Sequence, residues 1–287
     1  MRQLERDRLV ARRVEPGCVV ACRLDAGKPL TEADNCMVRV EGGPFLMGAQ
    51  STEPAAPGYD PDAAPDEAPP HRVTLSPFFI HLTEVTAGQY QACANAGACP
   101  ASEVLSPGGD FNYNVFGRHL HPMNGISWQG AAAFCRAIGG RLPTEAEWER
   151  AARAGDARKY PWGDEPADCL HAVMHEGAQP SGCGLDHTQE AWVPPKQGGH
   201  PLGLRHMAGN VWEWTADWYD ETYYRQSPDR DPRGPNDGTR RVQRGGGFAG
   251  ADPVELRAAF RAALPPDVRQ SDLGFRCAAD DGAISKQ

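Results

Sequence analysis

The sequence predicts an α+β fold, low in regular secondary structure and stapled by disulfides, and three observations predict it. The 287 residues include 32 glycines and 26 prolines, too many for long helices and too aperiodic for collagen. Of nine cysteines, Cys93 with Cys99 and Cys169 with Cys183 bracket short loops, while Cys135 and Cys277 stand alone in apolar settings. Short alternating segments and capped helical segments follow one another with no internal repeat.

Residues 1–37 read as an N-terminal extension, 38–281 as one domain and 282–287 as a tail. The domain opens on MVRVEGGPFLMGA, an alternating strand and a glycine turn. Residues 49–70 are acidic and proline-rich, a long surface loop. HRVTLSPFFIHLTEVT reads as strand, turn, strand. Thr86 with Gln89 forms a capping box that starts a helix ending at Gly97. A second helix starts near Ser127, with Trp128, Ala131, Cys135 and Ile138 on one face. A third starts at the box of Thr144 and Glu147 and stops at Gly155. About 80 irregular residues follow, and RRVQRGGGF and DLGFRCAAD read as short closing strands.

Net charge is −9 without a Lys/Arg block, which argues against nucleic acid as a partner. No apolar run approaches the roughly 20 residues of a membrane span. Cys93 and Cys99 bracket a short turn, Cys169 and Cys183 bracket a Gly/Pro loop, and Cys18, Cys22 and Cys36 cluster near the start. None of these spacings follows the paired grammar of a zinc site. Short-loop pairing points to an oxidising, extracytoplasmic compartment. The chain shows no export signal, so the cytoplasm is the alternative.

Five motifs occur in order: GRLPTEAEWERAAR (140–153), YPWGDE (160–165), MAGNVWEWTADWY (207–219), RVQRGG (241–246) and LGFRCAAD (273–280). Together they resemble the formylglycine-generating enzyme, or sulfatase-modifying factor, family. The resemblance implies a variant of the C-type-lectin-like fold with disulfides and calcium, and a bridge between Cys135 and Cys277. Its reactive members oxidise a substrate cysteine to formylglycine using copper and oxygen.

The tryptophans Trp212, Trp214 and Trp218 read as core residues with indole partners. In the family the same loop wraps calcium. By position its ligands here are the carbonyls of Gly209 and Val211, the Glu213 carboxylate and the His206 side chain, where the family has Asn or Asp. Calcium prefers oxygen, so His206 weakens that site. A second family calcium draws on an Asn whose place is taken by Val173, in the loop bracketed by Cys169 and Cys183, and is not expected. His119, His121, His171 and His175 read as loop or surface histidines rather than metal ligands. His171, His175 and Glu176 stand one position out of register for the H-x3-H-x-E iron motif of one family branch.

In RGGGFAGADPVELRAAFR (244–261) the glycines mark a close approach of backbone to something else. In the family a serine and two cysteines follow the RGG pair, and the thiolates suit Cu(I) and thiol exchange. Here those places are Gly247, Gly250 and Glu255. Copper is therefore not expected. Glu255, Arg257 and Arg261, with Asp252 beside them, are the pocket candidates: a carboxylate with two guanidiniums suits a zwitterion or carboxylate ligand, and a buried Glu255 suits acid–base work. The expectation is an exported recognition or structural module without formylglycine-generating activity, its partner a protein or small molecule. The alternative is an oxidoreductase of other chemistry in the same pocket, as in siderophore-maturation relatives. A residual sulfatase-modifying oxidase ranks third.

Overall fold

Apolar alternation in MVRV and continuous burial in FFIH build the first sheet. The computed structural model describes residues 18–20, 36–106, 108–175, 188–250 and 252–284. Its strands are β1 (Cys18–Val20), β2 (Cys36–Val40), β3 (Gly43–Met47), β4 (His71–Leu75), β5 (Phe78–His81), β6 (Trp212–Trp218), β7 (Arg241–Arg244), β8 (Ala262–Leu264), β9 (Leu273–Gly274) and β10 (Ala278–Asp280). They form one sheet of order β1-β2-β5-β10, a hairpin β3-β4, and a third sheet of order β8-β7-β6-β9. Strand β1 pairs antiparallel with β2, so the segment read as a prefix contributes a strand to the domain.

HRVTLSPFFIH is two strands, but they belong to different sheets: β4 pairs with β3, whereas β5 pairs with β2 and β10. DLGFRCAAD likewise splits. Its β9 runs parallel to β6, its β10 runs antiparallel to β5, and Phe275, Arg276 and Cys277 cross between the sheets, fully buried. That crossing places a guanidinium in the interior.

The helices are α1 (Ala87–Asn95), α2 (Trp128–Ala137), α3 (Glu145–Ala152) and α4 (Asp281–Ile284). Both capping boxes form. Thr86 Oγ1 accepts from Gln89 N while Gln89 Oε1 accepts from Thr86 N. Thr144 and Glu147 do the same at α3. Ser127 caps α2, accepting from Gly130 N. Each cap satisfies helix N–H groups that have no partner within the helix. Two apolar clusters take alternate residues of the first sheet: one gathers Met37 and Phe79 with α1, α2, Trp212, Trp214 and Phe275, the other gathers Val38, Val40, Phe78 and Ile80 with β3, β4 and α3, where Trp148 is fully buried.

Disulfides join Cys93 to Cys99 and Cys135 to Cys277. The second ties α2 to the crossing segment over a sequence separation of 142 residues. Cys36 and Cys169 are also disulfide-bonded; Cys183, expected to pair with Cys169, lies outside the described residues. No described helix is long and apolar enough to cross a membrane.

Candidate functional site

The glycines after β7 do approach something closely. Gly245 and Gly246 take φ of +97° and +71°, a region where other residues are strained. A Cβ on Gly245 would stand 3.0 Å from the Trp148 ring and 3.2 Å from the Met207 carbonyl. One on Gly247 would stand 3.0 Å from Asp272 and from the Trp212 ring. Backbone bonds fix this arrangement: Gly209 N donates to Gly245 O (2.8 Å), Phe248 N to Asn210 O (2.9 Å), Trp212 N to Asp272 O (2.7 Å) and His175 N to Gly250 O (2.9 Å). The loop is thus pressed against the 207–212 segment, and its far end turns into a short 3-10 helix, Pro253–Leu256, capped by Asp252 through Val254 N.

That turn brings Glu255 back over Gly250. Its Oε2 fills the space a side chain at position 250 would need, so the two positions that carry thiols in the family remain neighbours. Glu255 is half-buried, and its carboxyl is held above the usual carboxylate range by burial first, then by the charges of Asp252 and Asp272. Burial raises Asp272 as well. A half-buried carboxyl whose pKa is raised keeps its proton to higher pH than an ordinary glutamate, which suits it to hold and pass a proton.

The two arginines expected in this pocket are elsewhere. Both are buried. Arg257 donates to Glu67 (2.8 and 2.5 Å) and to Asp60 (3.0 Å). Arg261 donates to Glu145 (2.7 and 3.0 Å) and to the Asp66 carbonyl (2.8 Å). A buried guanidinium needs carboxylate and carbonyl partners, and these are supplied by the 49–70 loop and by α3. The two-arginine clamp around Glu255 is therefore corrected: the charges that act on Glu255 are the carboxylates of Asp252 and Asp272. Asp272 escaped sequence reasoning. It precedes LGFR directly, yet nothing local says that it folds over Gly247.

The histidines are scattered. His171 Nδ1 meets Asp168 (2.7 Å) while its ring stacks on Trp162. His121 Nδ1 meets the Thr188 hydroxyl (2.9 Å). His175 Nδ1 is buried without a partner among the described residues, and Glu176 lies outside them. Among the described residues no three His, Cys, Asp or Glu side chains converge in a way that could hold a metal.

The expected calcium loop is differently occupied. Glu213 Oε2 accepts from Trp148 Nε1 (2.8 Å) and Arg276 Nε (2.7 Å), and Oε1 accepts from Arg276 Nη2 (2.7 Å). His206 keeps a left-handed backbone, φ 51°, a conformation in which Asn, Asp and His are enriched. Its Nε2 faces the Val193 carbonyl at 2.7 Å, so that nitrogen carries the hydrogen and cannot ligate. The side chains present do not fit a calcium ion.

The residue pattern of the sulfatase-modifying factor enzyme 1-like domain matches residues 26–281. The chain belongs to the sulfatase-modifying factor family. It is 37% identical to a formylglycine-generating enzyme of Streptomyces coelicolor, over 85% of this chain and 88% of that one. Among solved structures it is similar to PvdO from Pseudomonas aeruginosa, with a TM-score of 0.68, 28% identity and coverage of 85% of this chain and 94% of that one. It is also similar to Treponema denticola variable protein 1, with a TM-score of 0.62, 26% identity and coverage of 85% and 94%. Family membership carries the C-type-lectin-like fold expected from the five motifs.

Proposed function

We propose that this chain is a sulfatase-modifying factor family member that does not make formylglycine and acts in recognition through the turn of residues 245–255, as a ligand-binding or structural module. The observation that carries this reading is the pair at 250 and 255: glycine and glutamate stand where the family has thiols, and the glutamate fills the space between them. Carboxylates are poor partners for Cu(I) and cannot exchange with a substrate thiol. The disulfides Cys93–Cys99 and Cys135–Cys277 support an oxidising, extracytoplasmic setting for this role.

A second reading has its own support. The raised pKa of Glu255, from burial and the charges of Asp252 and Asp272, together with likeness to the PvdO structure, favours an oxidoreductase of other chemistry in which Glu255 moves the proton. Incubating the purified protein with a Cys-x-Pro-x-Arg peptide, copper and oxygen, and reading the peptide by mass spectrometry, tests the common premise. Unchanged peptide is the expected result, and formylglycine in the product would overturn both readings. Once a ligand is in hand, Glu255→Gln separates them, since it abolishes turnover in the second and changes only affinity in the first.

A further inference from the structure

We infer that the 206–213 loop is held by a cation the chain itself supplies, the Arg276 guanidinium, and takes no calcium. Arg276 is fully buried on the segment that crosses from β9 to β10. Backbone bonds on both sides pin it there: Val85 N donates to Phe275 O and His81 N to Cys277 O, each at 2.9 Å. All three nitrogens are engaged. Nη1 donates to the carbonyls of His81 (3.0 Å) and Leu82 (3.3 Å). Nη2 donates to those of Arg205 (2.8 Å) and His206 (3.3 Å) and to Glu213 Oε1 (2.7 Å). Nε donates to Glu213 Oε2 (2.7 Å). Four carbonyls and a carboxylate therefore converge on one guanidinium, an oxygen cage whose positive charge is already in place.

Calcium collects six to eight oxygens at close range. Of the four groups expected to hold it, Glu213 is spent on Arg276 and Trp148, and His206 offers nitrogen and is turned to Val193. Two carbonyls remain, those of Gly209 and Val211. A divalent ion on the last free lone pair of Glu213 would face the guanidinium in a fully buried setting, where like charges repel strongly.

The test is thermal unfolding of the full chain in calcium chloride or in EGTA at equal ionic strength, with Glu213→Gln beside the wild type. The expected result is the same midpoint in both solutions. A midpoint that rises with calcium in the wild type but not in Glu213→Gln overturns the inference. A rise that Glu213→Gln retains puts calcium elsewhere in the chain and agrees with it. Should Glu213→Gln fail to fold because the Arg276 charge is stranded, His206→Asn decides. Asparagine is at home in the left-handed conformation and returns the side-chain oxygen. With Arg276 holding the cage, this variant stays indifferent to calcium, and a calcium-dependent rise in it overturns the assignment.

Discussion

The carboxylate of Glu255 occupies the volume into which a side chain at Gly250 would grow. The two residues are complementary: the missing Cβ of one makes room for the inward turn of the other. Gly250→Ala therefore displaces the end of a flexible side chain rather than backbone, and the protein folds. The displaced carboxyl gains water, so its pKa, raised mainly by burial in the wild type, moves down toward the ordinary range. A carbon-13 titration of the glutamate carboxyls reads this directly. An unmoved Glu255 resonance would show that the carboxylate does not sit over Gly250.

Acid destabilises the fold through neutral histidines, His81 buried and His200 half-buried. His200 Nε2 donates to the carbonyls of Ala151 (2.9 Å) and Ala152 (3.2 Å) at the end of α3, and its Nδ1 accepts from Leu202 N (3.1 Å). Burial lowers its pKa to about 4 from an ordinary 6.5, and burial lowers that of His81 to about 3. A folded pKa below the unfolded one means that the neutral ring's contribution is complete above pH 6.5 and is lost as pH falls through these values. For His200 this is worth about 3 kcal/mol. Unfolding midpoints measured across this range fall, and His200→Gln, which does not titrate, flattens the upper part of the fall. An equally steep fall in that variant would sink the assignment to His200.

Ala154 follows the C-cap of α3 with φ 52°, the left-handed position that glycine fills at lower cost. Ala154→Gly raises stability by about 1 kcal/mol, seen as a higher denaturant midpoint at unchanged slope. A lower midpoint would mean that unfolded-chain entropy outweighs the relief of strain.

The Cys135–Cys277 bridge closes a far longer loop than Cys93–Cys99, with separations of 142 and 6 residues. Replacing both Cys135 and Cys277 by alanine costs roughly 2–5 kcal/mol, more than the same change at Cys93 and Cys99. Chemical denaturation of the two double variants checks the order, and a reversed order would show that native-state packing, not loop closure, sets the cost.

Local signals were well preserved from sequence to structure. Thr86 with Gln89 and Thr144 with Glu147 announce their helices because a capping box is complete within four residues. The five motifs announce the family because they are covalent facts, and so is the absence of thiols at Gly250 and Glu255. DLGFRCAAD was legible as extended chain but not as a crossing between two sheets, because strand partners lie far away in sequence.

Charge pairing was the illegible part. Arg257 stands two positions from Glu255 and yet bonds Glu67, 190 residues away in the chain. Arg276 reaches Glu213, 63 residues distant. What the residues determined by themselves is the set of caps, turns and reactive groups available, since those depend on covalent identity and near neighbours. Which charges meet was decided by tertiary structure alone. A guanidinium driven into the interior must find whatever oxygens the topology brings to it, and that choice left Glu255 under the charges of Asp252 and Asp272 rather than beside an arginine.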